Sequence, residues 1–139
     1  NCPLSDTGRQ DIARMASFLA RTRPTIGCII HSGKIRAAQT ALIYAETLGP
    51  GRLVEEASSG LNPNDPTDPL VAACDGWTDD TIVVSHLPLV GKLVSRLVTG
   101  DEFETVVHFQ PGTVACLERG ENGGGWTVAW AMGPDLLGG

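Results

Sequence analysis

Two polar side chains suited to binding an anion each follow a short apolar run typical of a buried strand. Arg36 comes shortly after the run from Thr25 to Ile30, and His86 comes directly after the run from Thr81 to Ser85. An arginine offers a planar fork of donors that fits the oxygens of a phosphoryl group. An imidazole near neutral pH can bind phosphate or move a proton. Taken alone, each residue has an ordinary structural explanation, but their matching positions favour one shared anion site.

The predicted elements explain why these side chains should meet. The carboxyl ends of parallel strands lie at one edge of a sheet, and open α/β sheets bind ligands there. Apolar spacing, caps and breakers predict four helices over 9–23, 35–48, 69–74 and 88–98, with Ser5 as the first N-cap. Gly49 and Gly100 end the second and the last of these helices, and residues 58–66 form an exposed loop rich in turn residues.

The last third of the chain changes character. Three strand-like runs over 104–109, 112–119 and 126–132 are separated by Gln110-Pro111 and a glycine-rich hairpin loop, Gly120 to Gly125. Their close spacing predicts antiparallel pairing. The whole pattern predicts one α/β domain over residues 1–139, a three-layer αβα fold with a mostly parallel central sheet and antiparallel C-terminal strands.

Composition limits the classes of function. The net charge of −6 disfavours binding to a nucleic-acid backbone, so an anionic substrate needs a local cationic pocket. No apolar run is long enough for a transmembrane helix, so we expect no membrane partner. The four cysteines form no metal-ligand spacing with histidine, so we expect no metal or other cofactor, reduced thiols and a cytoplasmic protein.

Other polar residues near the two motifs are weaker candidates. Ser32 could donate a hydrogen bond to phosphate or to the turn that follows it, and the sequence does not separate these roles. His31 and His108 are interpreted as structural, His108 on a strand, and Lys34 as a surface lysine that could steer anions. The alternation of Trp126 and Trp130 indicates one face of a sheet.

The order of the motifs makes the chain resemble the SixA-type phosphohistidine phosphatases of the histidine phosphatase (phosphoglycerate mutase-like) superfamily. The resemblance extends to the final strand around Trp126 and Trp130. The matching segments are Leu4-Ser5-x-x-Gly8, Ser32-x-x-x-Arg36-Ala37-x-Gln39-Thr40-Ala41 and Ser85-His86-Leu87-Pro88-Leu89-Val90.

This resemblance implies a mechanism. A nucleophilic histidine attacks phosphorus, a phosphohistidine enzyme forms and water hydrolyses it, while Arg36 and His86 hold the phosphoryl oxygens with Ser32 beside them. The implied substrate is a protein phosphohistidine, with a small phosphate ester as the alternative. Larger relatives protonate an alcohol leaving group with a carboxylic acid, for which Glu55 and Glu56, expected to begin the loop after the second helix, are the nearest candidates, although a surface role is favoured.

The same resemblance raises a difficulty. The family's Arg-His-Gly motif, which ends the first strand and carries the nucleophile, should precede Leu4 and is not in the sequence, which also lacks an initiating methionine. We therefore expect the sheet to have an open edge beside the strands ending at Ile30 and Val84. If no such histidine exists, the chain is an inactive phosphate-binding or interaction domain.

Overall fold

Each strand in the first two-thirds of the chain is followed by a helix. The computed structural model describes residues 2–138, apart from the side chain of Asn122. Its elements are α1 (Asp6–Arg21), β1 (Ile26–His31), α2 (Ile35–Leu48), β2 (Leu53–Glu56), α3 (Asp68–Gly76), β3 (Asp80–Val84), α4 (Leu89–Thr99), β4 (Val114–Arg119) and β5 (Trp126–Met132), with short 3₁₀ helices at Glu121–Gly123 and Pro134–Leu137.

The first three strands form a parallel sheet in the order β2-β1-β3. Central Ile29 pairs in register with Val54 on one side and Ile82 on the other, and it is fully buried. The prediction that the strands ending at Ile30 and Val84 are neighbours is confirmed, because these strands are paired along their length. The turns that follow β1 and β3 therefore leave the sheet at the same edge.

Helices cover both faces of the parallel sheet, as predicted for a three-layer fold. On one face α1 and α2 pack buried side chains such as Met15 and Tyr44 against Ile29. On the other face α3 and α4 pack Leu70 and Leu89 against Ile30 and Val83. Successive strand residues point to opposite faces, which explains why the adjacent Ile29 and Ile30 belong to different cores.

Local signals account for the helix boundaries. Ser5 caps α1, since its hydroxyl oxygen accepts a hydrogen bond from the Gly8 N–H at 3.0 Å. The predicted bounds of α2 are confirmed at both ends, and Gly49, with φ 91°, follows its last residue. Gly100 ends α4 in the left-handed conformation that glycine favours.

Two sequence predictions about strands and loops are wrong. Residues 104–109 form no strand, because this run lies at the surface with four of its six residues exposed and ends in a turn in which Thr113 N–H bonds to the Gln110 carbonyl. The short acidic strand β2 was not predicted. The exposed loop predicted over residues 58–66 is confirmed, although Leu61 within it is buried, at 3% exposure.

The antiparallel pair forms a sheet of its own. β4 and β5 pair as a hairpin, with Trp126 and Trp130 on the same, more buried face, as predicted. Trp130 packs edge-on against Phe18 of α1, with ring centroids 5.6 Å apart. This contact anchors the hairpin to the helical layer that covers the parallel sheet.

The expected open edge is present at β3. Within residues 2–138, β3 pairs with β1 alone and β4 pairs with β5 alone. The apolar residues from Ile82 to Val84 and from Val114 to Leu117 are only half-buried, in contrast to the fully buried Ile29 of the central strand. Unpaired apolar edges of this kind are templates for another strand.

Candidate functional site

The turn after β1 is fixed by contacts from its neighbours. Gly33 adopts a φ of 88°, and a Cβ atom there would lie 2.8 Å from the Glu56 side chain, so this position requires glycine. Its N–H donates to Nδ1 of His31 at 3.1 Å. The His31 carbonyl accepts from the Ala57 N–H at 2.8 Å. Because α2 begins at Ile35, Arg36 falls in the first turn of the helix, as predicted.

The turn after β3 is held in a similar way. Ser85 donates its hydroxyl proton to the Leu61 carbonyl oxygen at 2.7 Å. His86 follows, then a cis peptide bond between Leu87 and Pro88. Leu89, the first residue of α4, is fully buried. His86 therefore lies between the hydrogen-bonded Ser85 and the buried Leu89 that begins α4.

A side-chain hydrogen bond joins the two turns. Oγ of Ser32 lies 2.6 Å from Nε2 of His86. The same oxygen accepts a hydrogen bond from the Lys34 N–H at 3.3 Å. The arginine motif and the histidine motif, separated by about fifty residues, therefore meet at one point on the edge of the sheet.

The site is locally cationic in an acidic protein. Burial lowers the pKa of His86 below its ordinary value, and the charges of Lys34 and Arg36 lower it further. The imidazole is therefore mostly neutral at pH 7 and can donate or accept a hydrogen bond. Arg36 itself is exposed, so its guanidinium is accessible to a ligand from solvent.

The weaker candidates occupy distinct places. His31 is 8% exposed and its Nδ1 is used within the turn, in agreement with a structural role. Lys34 is half-buried and acts on His86 through its charge. His108 is exposed and lies on no strand, contrary to the prediction.

Two acidic residues were also misplaced by the sequence analysis. Glu55 and Glu56 lie on β2, paired with Ile30 and His31, instead of in a loop. Both are exposed, and the Glu56 side chain lies against the Gly33 turn. This places one carboxyl group beside the candidate site.

Gln39 has a role that the sequence analysis did not identify. Its Oε1 accepts a hydrogen bond from the Leu4 N–H at 2.7 Å, across 35 residues of sequence. This bond ties the segment that precedes α1 to the helix that carries Arg36. The sequence signal for this role was the position of Gln39 on the same motif as Arg36, one helical turn later.

Other kinds of site are not found in the part of the chain that the structure covers. Residues 2–138 contain no group of three or more His, Cys, Asp or Glu side chains placed to hold a metal ion. No helix among them has the length and apolar character to cross a bilayer. All four cysteines are free thiols, and burial raises the pKa of Cys74 to about 11, which disfavours a reactive thiolate there.

Comparisons with known proteins agree with these motifs. No protein-family model matches the chain. The chain is 30% identical to phosphohistidine phosphatase SixA of Escherichia coli (strain K12) over 136 residues, which cover 95% of the chain and 81% of that protein. A solved structure of the protein histidine phosphatase SixA complexed with tungstate matches 97% of this chain and 86% of its own, with a TM-score of 0.85 and 30% identity.

A more distant structure shares the fold. It is a candidate phosphohistidine phosphatase SixA from Agrobacterium tumefaciens, with a TM-score of 0.68 at 18% identity, and the match covers 94% of this chain and 86% of that one. The identity to the Escherichia coli protein, the extent of the match and the order of the motifs show a shared family in addition to a shared fold. The chain belongs to the SixA family of phosphohistidine phosphatases.

Proposed function

We propose that this domain hydrolyses phosphohistidine on a protein substrate, with Arg36 and His86 holding the phosphoryl group. The observation that carries the proposal is the 2.6 Å hydrogen bond between Ser32 and His86, which unites the two motifs at one edge of the sheet. The tungstate complex of the related SixA supports the choice of ligand, since tungstate is a tetrahedral oxyanion like phosphate.

The proposed chemistry needs a nucleophile beyond the histidines of this chain. A histidine nitrogen attacks phosphorus and the bond from phosphorus to the substrate nitrogen breaks. The ring proton that the attacking imidazole loses passes, by exchange with solvent, to the substrate nitrogen. One water then attacks the phosphohistidine enzyme, returns a proton to its imidazole and releases phosphate. Arg36 and His86 stabilise the charge that grows on the phosphoryl oxygens. We propose that the nucleophile sits on a strand that pairs with the open edge of β3.

The strand assignment rests on the split between the two sheets. β3 and β4 each have one ladder partner in residues 2–138, and their apolar residues are half-buried. A strand inserted between them would cover both edges and would end beside His86. The proposed active site is therefore complete only when this strand is in place.

One observation favours a second candidate, a small-molecule phosphomonoesterase. An alkoxide leaving group needs a proton donor, and the Glu56 side chain lies against Gly33 in the turn between Ser32 and Lys34. A phosphohistidine needs this acid less, because imidazole leaves more readily than an alkoxide. We favour phosphohistidine because its hydrolysis does not depend on this carboxyl group, which is exposed at the surface.

A substrate comparison tests this choice. With the strand-completed protein, we expect faster release of phosphate from a phosphohistidine peptide than from sugar phosphates, and no loss of that activity in Glu56→Gln. Faster hydrolysis of sugar phosphates, abolished by Glu56→Gln, would instead establish the phosphomonoesterase. Oxyanion binding without hydrolysis of either substrate would point to an interaction domain.

The cellular location is also a proposal. We place the protein in the cytoplasm because its four cysteines are unpaired, which is the usual state of thiols in a reducing compartment. The net charge of −6 gives no support to a nucleic-acid partner. The partner we propose is the phosphorylated protein itself.

A further inference from the structure

The hydrogen bond between Ser32 and His86 raises the question of which atom carries the proton. The two atoms are 2.6 Å apart, and either the hydroxyl donates to an unprotonated Nε2 or Nε2–H donates to the hydroxyl oxygen. The first arrangement leaves the ring proton on Nδ1, and the second places it on Nε2. The two tautomers present different donors to a ligand.

The surroundings decide between these arrangements. Burial and the nearby charges of Lys34 and Arg36 lower the pKa of His86, which favours the neutral ring with a single N–H. Oγ of Ser32 already accepts from the Lys34 N–H. The Ser32 hydroxyl proton therefore needs an acceptor, and among the hydrogen bonds described for residues 2–138 that acceptor is Nε2 of His86.

We propose that Ser32 is a positioning residue that fixes His86 as the Nδ1–H tautomer, so that the ring offers Nδ1–H to a bound oxyanion. The second half of this inference rests on the proposed function. Nε2 is occupied by Ser32, whereas Nδ1 has no protein partner in the part of the chain that the structure describes. A donor oriented before the ligand arrives needs no reorganisation when charge develops on the phosphoryl oxygens.

The tautomer can be measured without any ligand. Nitrogen NMR of the imidazole side chains, at a pH above the pKa of His86, distinguishes protonated from unprotonated ring nitrogens, and the His86→Gln variant assigns the signals. We expect Nδ1–H in the wild type. In Ser32→Ala we expect the population to move towards Nε2–H, the tautomer that histidine favours in water, and in Ser32→Thr we expect the retained hydroxyl to restore Nδ1–H.

Ser85→Ala is the matched control. It removes a serine hydroxyl from the residue next to His86, but that hydroxyl bonds to the Leu61 carbonyl and not to the ring. We expect it to leave the tautomer unchanged. An Nε2–H ring in the wild type, or the same tautomer in the wild type and Ser32→Ala, would overturn the inference.

Tungstate titration then tests the functional half. Losing the orientation of one hydrogen bond should weaken tungstate binding about 2- to 10-fold in Ser32→Ala, with recovery in Ser32→Thr. A change of tautomer with unchanged tungstate affinity would retain the first half of the inference and reject the second. If wild type and Arg36→Ala bind tungstate equally, the proposed phosphate site fails, and the tautomer result stands separately.

Discussion

Replacing Arg36 by alanine is expected to weaken tungstate binding by about 1.5 to 3 kcal/mol, roughly 10- to 150-fold. The guanidinium lies in the first turn of α2, exposed to solvent and near enough to His86 for its charge to lower the pKa of that ring. Its charge-assisted hydrogen bonds to an oxyanion do not depend on the nucleophile. Calorimetric titration of tungstate into the wild type and the variant measures the difference.

Arg21→Ala controls for the change in net charge. Arg21 is also exposed, but it lies in the last turn of α1. Helix α1 is about 24 Å long, and its other end is the one that lies near Gln39 of α2. This distance exceeds the Debye length, so the charge of Arg21 is largely screened from the site. We expect its affinity for tungstate to stay within roughly twofold of the wild type. Equal losses in both variants would mean that Arg36 acts through net charge and does not contact the anion.

The variant His86→Ala is a second test of the same site. It should also weaken tungstate binding, because it removes a donor from the pocket. The loss should grow as the pH falls below the pKa of His86, where the wild-type imidazolium adds a positive charge. That pKa is lowered in the free protein, so the growth should continue to pH values below the usual histidine range before it levels off.

We expect that adding a strand with an Arg-His-Gly sequence ahead of Leu4 raises phosphohistidine hydrolysis from little or none to many turnovers per protein molecule. The histidine would supply the nucleophile, and the strand would pair with the half-buried edge of β3. Phosphate release from a phosphohistidine peptide, with residues 1–139 assayed in parallel, gives the ratio of activities.

The same fusion with asparagine in place of the new histidine is the control. It should stabilise the fold as the active fusion does, since both strands cover the same edge, but it should not turn over. Vigorous hydrolysis by residues 1–139 alone would contradict the account, because it would make His31 or His108 the nucleophile. A stabilised but inactive histidine fusion would contradict the placement of the nucleophile.

Local signals predicted the elements that carry the site. Helix α2 has an apolar stripe between a glycine turn and Gly49, so its bounds followed from spacing and breakers. The strands β1 and β3 are short β-branched runs. The prediction that they are neighbours in the sheet required only that both be parallel and buried. The contact between the turn after β1 and the turn after β3, through Ser32 and His86, then followed from topology.

Other features depend on contacts that local sequence does not encode. β2 is a four-residue strand that includes Glu55 and Glu56, and pairing with β1 is what makes it a strand. The run 104–109 has strand-like composition but lies at the surface without a ladder partner. The bond from Leu4 to Gln39 joins segments far apart in sequence, so only the folded chain reveals it.

A crystal structure of this protein with tungstate bound tests the central claim most directly. The account predicts one tungstate at the shared ends of β1 and β3, with the Arg36 guanidinium and the His86 imidazole both within hydrogen-bond distance of its oxygens. Nδ1 of His86 should face the anion, while Nε2 keeps its bond to Ser32. Tungstate bound elsewhere, or contacted by neither Arg36 nor His86, would contradict the assignment of the phosphate site.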